Sequence, residues 1–335
     1  MTKEQINKLL SDGIFPKYTG QPDLIETHIS WVLVCDNFVF KIKKPVCYSF
    51  LDFATLEKRK YYCEKEIELN KRLTGDMYID VQPVCEMCGC YSIGNDGGEI
   101  IDYAVRMHKL DRNRQMDVLL LNDSVTHSNI KSLAEKIVAF HKNTSIIYEM
   151  DVLKIRDEFN DLKKENDFLH GYLCSDSLAI IDHAIVSSDT FIEEHKELFA
   201  ARLRAGFYRD CHGDLHSGNI FLLPEPLPFD CIEFNDEYRL IDVLNEVAFL
   251  CMDLDAFGRQ DLSDLFIDYY NQLFPVMKTG EDRRLFMYYK SYRANIRAKI
   301  NSLRFREANN EAKGKLPLAE VHKYLRLMDS YMKML

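Results

Sequence analysis

The chain has 335 residues, 47% of them hydrophobic and 29% charged, enough to build two lobes with substantial cores and too apolar for a disordered chain. No run approaches the roughly 20 apolar residues that span a bilayer, and the start, "MTKEQINKLL", lacks the basic-then-apolar layout of a secretory signal, so the expected setting is the cytoplasm. A formal charge of −10 speaks against generic DNA or RNA binding, which relies on a basic surface.

The first hundred residues read as strand-rich. "ETHISWVLV" and "NFVFKIKK" are β-branched or aromatic runs joined at Cys35, Asp36 and Asn37, which predicts a hairpin. Between them and the next strands, "FATLEKRKYYCEKEIELNKRLTG" has helical length, with Gly75 as its stop. Tyr62, Glu66, Leu69 and Leu73 fall on one stripe of that helix, which sets the Glu66 carboxylate among apolar neighbours and calls for a cationic partner. "VQPVCEMCGCYSIG" and "EIIDYAVRMHK" flank the turn signal "NDGG" and predict a second hairpin. Most of the ten cysteines are expected as reduced thiols, in a chain large enough to be stable by burial; Cys85, Cys88 and Cys90 are expected as strand residues, because no second cysteine pair completes a tetrahedral metal site.

From about residue 113 the pattern turns helical, through "NIKSLAEKIVAFHKN", "LAIIDHAIVSSDTFIEEHKELFAARLRA", "LIDVLNEVAFLCMDLDAFG", "DLSDLFIDYYNQLF" and a basic helix from Glu281. One stretch interrupts it: "NIFLL" and "LPFDCIEF", separated by "PEPLP", predict a small hairpin. No Gly/Ser linker divides the chain, so two lobes are expected, 1–107 and 108–335, meeting near "YAVRMHKLD".

The chemistry concentrates at "DCHGDLHSGNIFLL". His212, Asp214 and Asn219 have the H-x-D-x-x-x-x-N spacing of a phosphotransferase catalytic loop, in which the aspartate orients the substrate hydroxyl and the asparagine binds Mg²⁺. Asp230, on the following strand, would be the second metal ligand. The residue types suit the task. Phosphoryl transfer requires neutralised phosphate oxygens and an in-line nucleophile, and magnesium prefers hard oxygen ligands over thiols or imidazoles.

"CHGDLHSGN" followed by "FDCIEFNDEYRLIDVLNEVAFL" resembles the aminoglycoside phosphotransferase and choline kinase relatives of the protein kinases. It is most similar to a bacterial branch with "ETHISWV", "KKPV" and "LDF" near the front, some of whose members carry an additional P-loop ATPase domain. This chain has no G-x-x-x-x-G-K-[ST]. The resemblance implies an α+β, bilobal protein-kinase-like fold, with an antiparallel-sheet N-lobe containing one helix and a mostly helical C-lobe. It implies ATP and Mg²⁺ as cofactors, with the adenine near Asp102 to Met107, and γ-phosphoryl transfer to a hydroxyl of a small molecule.

Residue by residue, it makes Asp214 the catalytic base, His212 the loop residue that orients it, and Asn219 and Asp230 the metal ligands. An N-lobe lysine should contact the phosphates and pair with a helix glutamate. Lys41 and Lys43 share a strand face; Lys41 follows three apolar residues as in V-A-I-K and is preferred, with Glu66 as its partner. No G-x-G-x-x-G precedes these strands, so the phosphates are expected under another loop, Thr27 to Ser30.

Asp242 is expected to anchor the catalytic loop through backbone hydrogen bonds rather than to bind a ligand. Arg293, Arg297 and Lys299 fall partly on one helical face; they form either a solvated basic face or, for Arg293 and Arg297, a grip on an anionic acceptor. Two rival functions stand beside the small-molecule kinase: a protein serine/threonine kinase, and a non-catalytic nucleotide-binding regulator. The acceptor, the choice between ATP and GTP, and the oligomeric state are not fixed by the sequence.

Overall fold

The computed structural model describes every residue except 49, 95–96 and 308–310, and the side chains of all described residues outside 311–313. In chain order the elements are α1 (Lys3–Asp12), β1 (Asp23–Glu26), β2 (Ser30–Val34), β3 (Phe38–Lys43), β4 (Cys47–Tyr48), β5 (Leu51–Asp52), α2 (Leu56–Thr74), β6 (Tyr78–Met87), β7 (Cys90–Ile93) and β8 (Glu99–His108). There follow α3 (Met116–Leu121), α4 (His127–Asn143), α5 (Ile155–Asn160), α6 (Asn166–Leu169), α7 (Ser175–Arg204), β9 (Tyr208–Asp210), β10 (Ile220–Phe221), β11 (Leu227–Pro228), β12 (Leu240–Asp242), α8 (Val243–Ala256), α9 (Gln260–Leu273), α10 (Gly280–Glu307) and α11 (Glu311–Met332). The chain forms two compact units: Met1–Val118 with Asn219–Tyr238, and Leu119–Gly218 with Arg239–Leu335. The first therefore extends past the expected boundary at 107 and takes in a later segment that the sequence reading assigned to the second lobe.

In the first unit, a six-stranded antiparallel sheet has the order β1-β2-β3-β8-β6-β7. Strand alternation sorts β3. Phe40 and Ile42 enter one core with Trp31, Leu33, Ile6 and Leu9, whereas Lys41 and Lys43 point to the opposite face, where their ammonium groups reach Glu66 of α2. That second face closes on Cys63, Ile67, Tyr78, Val105 and Met107. α2 is capped by Thr55, whose side chain accepts from the Lys58 N–H, and ends at Gly75 with φ 59°.

The predicted hairpin at Cys35–Asn37 joins β2 to β3, with Val34 opposite Val39. The second hairpin differs from expectation. "VQPVCEMCGCYSIG" holds most of β6 and all of β7, folded at Cys88 and Gly89, both with positive φ (52° and 81°) as a two-residue hairpin turn requires. β8 then pairs with β6 rather than with β7. The Asn95 and Asp96 half of the predicted "NDGG" turn lies outside the described residues.

The second unit is mostly helical. All of α8 from Val243 to Leu254 is buried, the mark of a helix surrounded by core. α10 packs along both α8 and α11. No helix among the described residues is long and apolar enough to cross a membrane.

Candidate active site

Two clusters of functional groups form, one in each unit. In the first unit Lys41 Nζ lies 2.8 Å from Glu66 Oε1 and 2.6 Å from Asp230 Oδ1. Lys43 Nζ lies 2.7 Å from Glu66 Oε2 and bonds Glu233. Glu66 and Lys43 are almost fully buried, whereas Asp230 keeps 42% of its side chain exposed. Burial opposes ionisation of Glu66, but the two ammonium groups outweigh it and hold its carboxyl below the usual range. Glu233 goes the other way. Burial, reinforced by the Glu66 charge, raises its carboxyl despite Lys43. Burial also works against the Lys41 ammonium, and Asp230, Glu66 and Glu233 more than reverse this, so the amine is held charged.

The predicted small hairpin is β10–β11, with Ile220 opposite Pro228. One step further out, the Phe229 N–H donates to the Asn219 carbonyl at 2.9 Å, so Asn219 and Asp230 leave the same end of one hairpin. Asp230 has φ 63°, a left-handed conformation uncommon for a residue with a side chain. Its N–H donates to the Tyr78 hydroxyl at 3.2 Å, and the next N–H, of Cys231, donates to Asn70 Oδ1 at 2.9 Å. α2 and β6 thus hold the backbone of this turn.

Three carboxylates (Glu66, Asp230, Glu233) share two ammoniums (Lys41, Lys43), an excess of one negative charge. The most exposed of these carboxylates, Asp230, is a hard-oxygen donor of the kind that suits a divalent ion such as magnesium.

Ser30 is fully buried, its N–H bonded to Thr27 Oγ1 at 2.9 Å; only Thr27 and His28 of that β1–β2 turn are exposed. Asp102 to Met107, expected to border the adenine, is interior to strand β8, and Asp102 is bonded by Arg59 Nε at 2.8 Å.

In the second unit, β9 pairs with β12 (Leu240 opposite Asp210), and the loop from Cys211 to Gly218 follows. α8 organises it with a stripe at Glu246, Phe249 and Asp253. Glu246 accepts from the N–H of His212 at 2.6 Å and of Gly213 at 2.9 Å. Asp253 accepts from the Ser217 N–H at 2.8 Å and from its hydroxyl. Phe249 packs against the His216 ring at 5.5 Å. The backbone anchor is therefore Glu246, not Asp242. The Asp242 carboxylate instead caps α8 through the Leu244 N–H at 2.9 Å and binds the buried Arg202.

Asp214 takes its N–H to His212 Nδ1 at 3.2 Å, and its carboxylate lies 3.5 Å from His216 Nε2. Burial alone would raise the Asp214 carboxyl; His216, Arg297 and His212 overcome this and hold it well below the usual range. An aspartate kept ionised accepts a hydrogen bond from a hydroxyl without being itself protonated. Arg293 is buried, with Nε 2.7 Å from Asn245 Oδ1 and Nη1 3.2 Å from the Gly213 carbonyl, so its guanidinium braces the loop rather than facing an acceptor. Lys299 bonds Asp161 at 2.8 Å.

Glu233, Glu246 and Asp253 were not singled out from sequence. The available signal was a carboxylate inside an otherwise apolar run, which must find donors when buried. Cys88 and Cys90 are exposed and Cys85 buried; the one close set of metal-type donors among the described residues is His141, Cys211 and Glu246.

No protein-family model matches the chain. An uncharacterized protein of Mycobacterium tuberculosis is 31% identical over 304 residues, covering 88% of this chain and 58% of the relative. The chain thus spans under two thirds of the curated relatives it matches. Among solved structures, choline kinase from Cryptosporidium parvum superposes with a TM-score of 0.55 at 12% identity, covering 93% of this chain and 90% of that one. The GDP complex of aminoglycoside 2'-phosphotransferase-IIIa superposes with a TM-score of 0.52 at 13% identity, covering 91% and 92%. The fold is the bilobal protein-kinase-like α+β fold of these enzymes.

Proposed function

We propose that the protein is a small-molecule kinase that moves the γ-phosphoryl group of ATP to a hydroxyl. The observation that carries this reading is the double ion pair Glu66–Lys41–Asp230, made by residues at the positions expected for a phosphate-binding lysine, its helix partner and a metal ligand. Lys43 is held between two buried carboxylates, whereas Lys41 touches the exposed one, so Lys41 is the lysine that a triphosphate can reach. Asn219 and Asp230 would hold Mg²⁺, which supplies charge neutralisation at the phosphate oxygens.

The chain's own groups do the rest. Glu66 fixes the Lys41 ammonium, which binds phosphate oxygens. Ionised Asp214 accepts the hydrogen bond of the acceptor hydroxyl, aims its oxygen and takes up its proton as the new bond forms. His212 supports the Asp214 backbone, and Glu246, with Arg293, holds the loop from the other side.

Asp214→Asn tests the assignment. ATP and GTP turnover are followed in a protein-free cell extract, with mass spectrometry of small molecules and of added protein. A small phosphorylated product is expected from the wild type, with a loss of roughly 10²–10⁴ in the variant and retained nucleotide binding. Equal turnover in both proteins, or phosphorylated protein as the product, overturns the small-molecule reading. Nucleotide binding without turnover identifies a regulator instead.

A further inference from the structure

Resting on the kinase reading of Asp214, we propose that the acceptor is a hydroxylated anion whose phosphate or carboxylate is held by Arg297 and Arg304 of α10. The two arginines are seven residues apart and share a helical face with Arg293. Their situations differ. Arg293 is committed to Asn245 and Gly213, whereas Arg304 makes no hydrogen bond or ion pair among the described residues. Arg297 lies over the Tyr324 ring, 5.4 Å from its centroid, and its buried Nε has no hydrogen-bond partner among the described residues.

Electrostatics agree with this placement. Burial and the neighbouring Arg297 push the Arg304 guanidinium below its usual range, and Asp214 acts in the opposite sense, so two cations share the field of one catalytic carboxylate. Of the other carboxylates nearby, Asp253 accepts from the Ser217 N–H (2.8 Å) and hydroxyl while its charge favours the Arg297 cation, and Glu320 is paired with Lys323 (2.7 Å). His216 adds a third donor beside Asp214. Two guanidiniums on one helical face, one with an orphaned buried N–H and one with no ion pair among the described residues, offer paired N–H donors to a planar or tetrahedral oxyanion. A polyamine acceptor would meet like charge at the same place, so the pair also rejects cationic acceptors.

Thermal-shift titrations of the full chain, with and without MgADP, test the proposal using gluconate, 6-phosphogluconate and glucosamine as probes. Stabilisation by 6-phosphogluconate alone identifies a phosphate site, and stabilisation by gluconate as well a carboxylate site; in either case Arg304→Gln and Arg297→Gln should each weaken apparent affinity at least tenfold. Anion binding that is equal in wild type and both variants, no anion binding, or a preference for glucosamine overturns the proposal. Failure of MgADP to stabilise the wild type counts against the kinase reading alone, because the anion titrations without nucleotide are read independently.

Discussion

Replacing Glu66 by Gln keeps the side-chain shape and removes one charge from the centre of the first unit. Glu66 receives charge-assisted hydrogen bonds from Lys41 at 2.8 Å and Lys43 at 2.7 Å, with no exposure to water. Such bonds contribute about 1.5–3 kcal/mol each, and breaking a buried ion pair costs about 3–5 kcal/mol. Glutamine retains one acceptor oxygen, so a net loss of about 3 kcal/mol is expected, a fall in Tm of roughly 4 °C for a chain of this size. The pH dependence has a definite sign. Because the Glu66 carboxyl is depressed in the folded state, its stabilisation is fully present above the unfolded value of about 4.3 and is lost as pH falls through the folded value. The wild-type advantage should therefore be flat from about pH 5 to 8 and shrink only below about pH 4. Because the Glu66 charge adds to the rise of the Glu233 carboxyl, which contributes with the opposite sign, the comparison is made in a Glu233→Gln background that removes this contribution from both proteins. Differential scanning fluorimetry across that range, with MgATP titrations at neutral pH, is the measurement; an affinity loss of about tenfold or more is expected, since a misplaced Lys41 no longer meets phosphate. A stability difference under about 1 kcal/mol, or one that grows on acidification, would refute the assignment of Glu66 as the charge that holds both lysines.

Asp230 has a left-handed φ of 63°, so Asp230→Gly should be more stable than Asp230→Ala by about 1 kcal/mol in urea unfolding, while both lose magnesium-dependent nucleotide binding; an Ala variant as stable as the Gly variant would show that the turn carries no strain. Glu246→Gln weakens the hold on the His212 and Gly213 N–H groups and should lower kcat about 10–100-fold with little change in KM for ATP; a raised KM with unchanged kcat would remove Glu246 from its positioning role.

Strand β3 and helix α2 were legible because period and charge agree there. Alternation in "FVFKIKK" places Lys41 and Lys43 on one face, and a glutamate on the buried stripe of α2 requires a cation. The stripe itself is more polar than expected. Arg59, Glu66, Asn70 and Thr74 are all buried on α2; the first three tie the helix to Asp102, to Lys41 and Lys43, and to the Cys231 N–H, while Thr74 bonds the Asn70 carbonyl within the helix. Turn chemistry was harder to read. A Cys–Gly pair is not a conventional hairpin signal, yet both residues adopt positive φ, and that fold-back moves β8 beside β6. The end of the chain gave little signal. α11 is preceded by residues outside the described set and contains Pro317, and periodicity did not mark it.

The loop from Cys211 to Gly218 shows why local motifs reveal candidate functional groups and conceal their supports. His212, Asp214 and Asn219 are recognisable because their types and spacing along one short loop resemble those of a phosphotransferase loop. What holds that loop comes from elsewhere in the chain: Glu246 and Asp253 on α8, and Arg293 on α10. Each sits in a helix whose apolar period makes it look like an exception, and only the tertiary structure supplies the N–H or C=O that satisfies it. Arg293 and Arg297 illustrate the consequence most clearly. They are four residues apart and equivalent by helical spacing. One braces a backbone carbonyl while the other keeps a buried donor without a partner. Helical period assigns a residue to a face; the hydrogen-bond demand of the neighbouring loop decides which arginine braces the backbone.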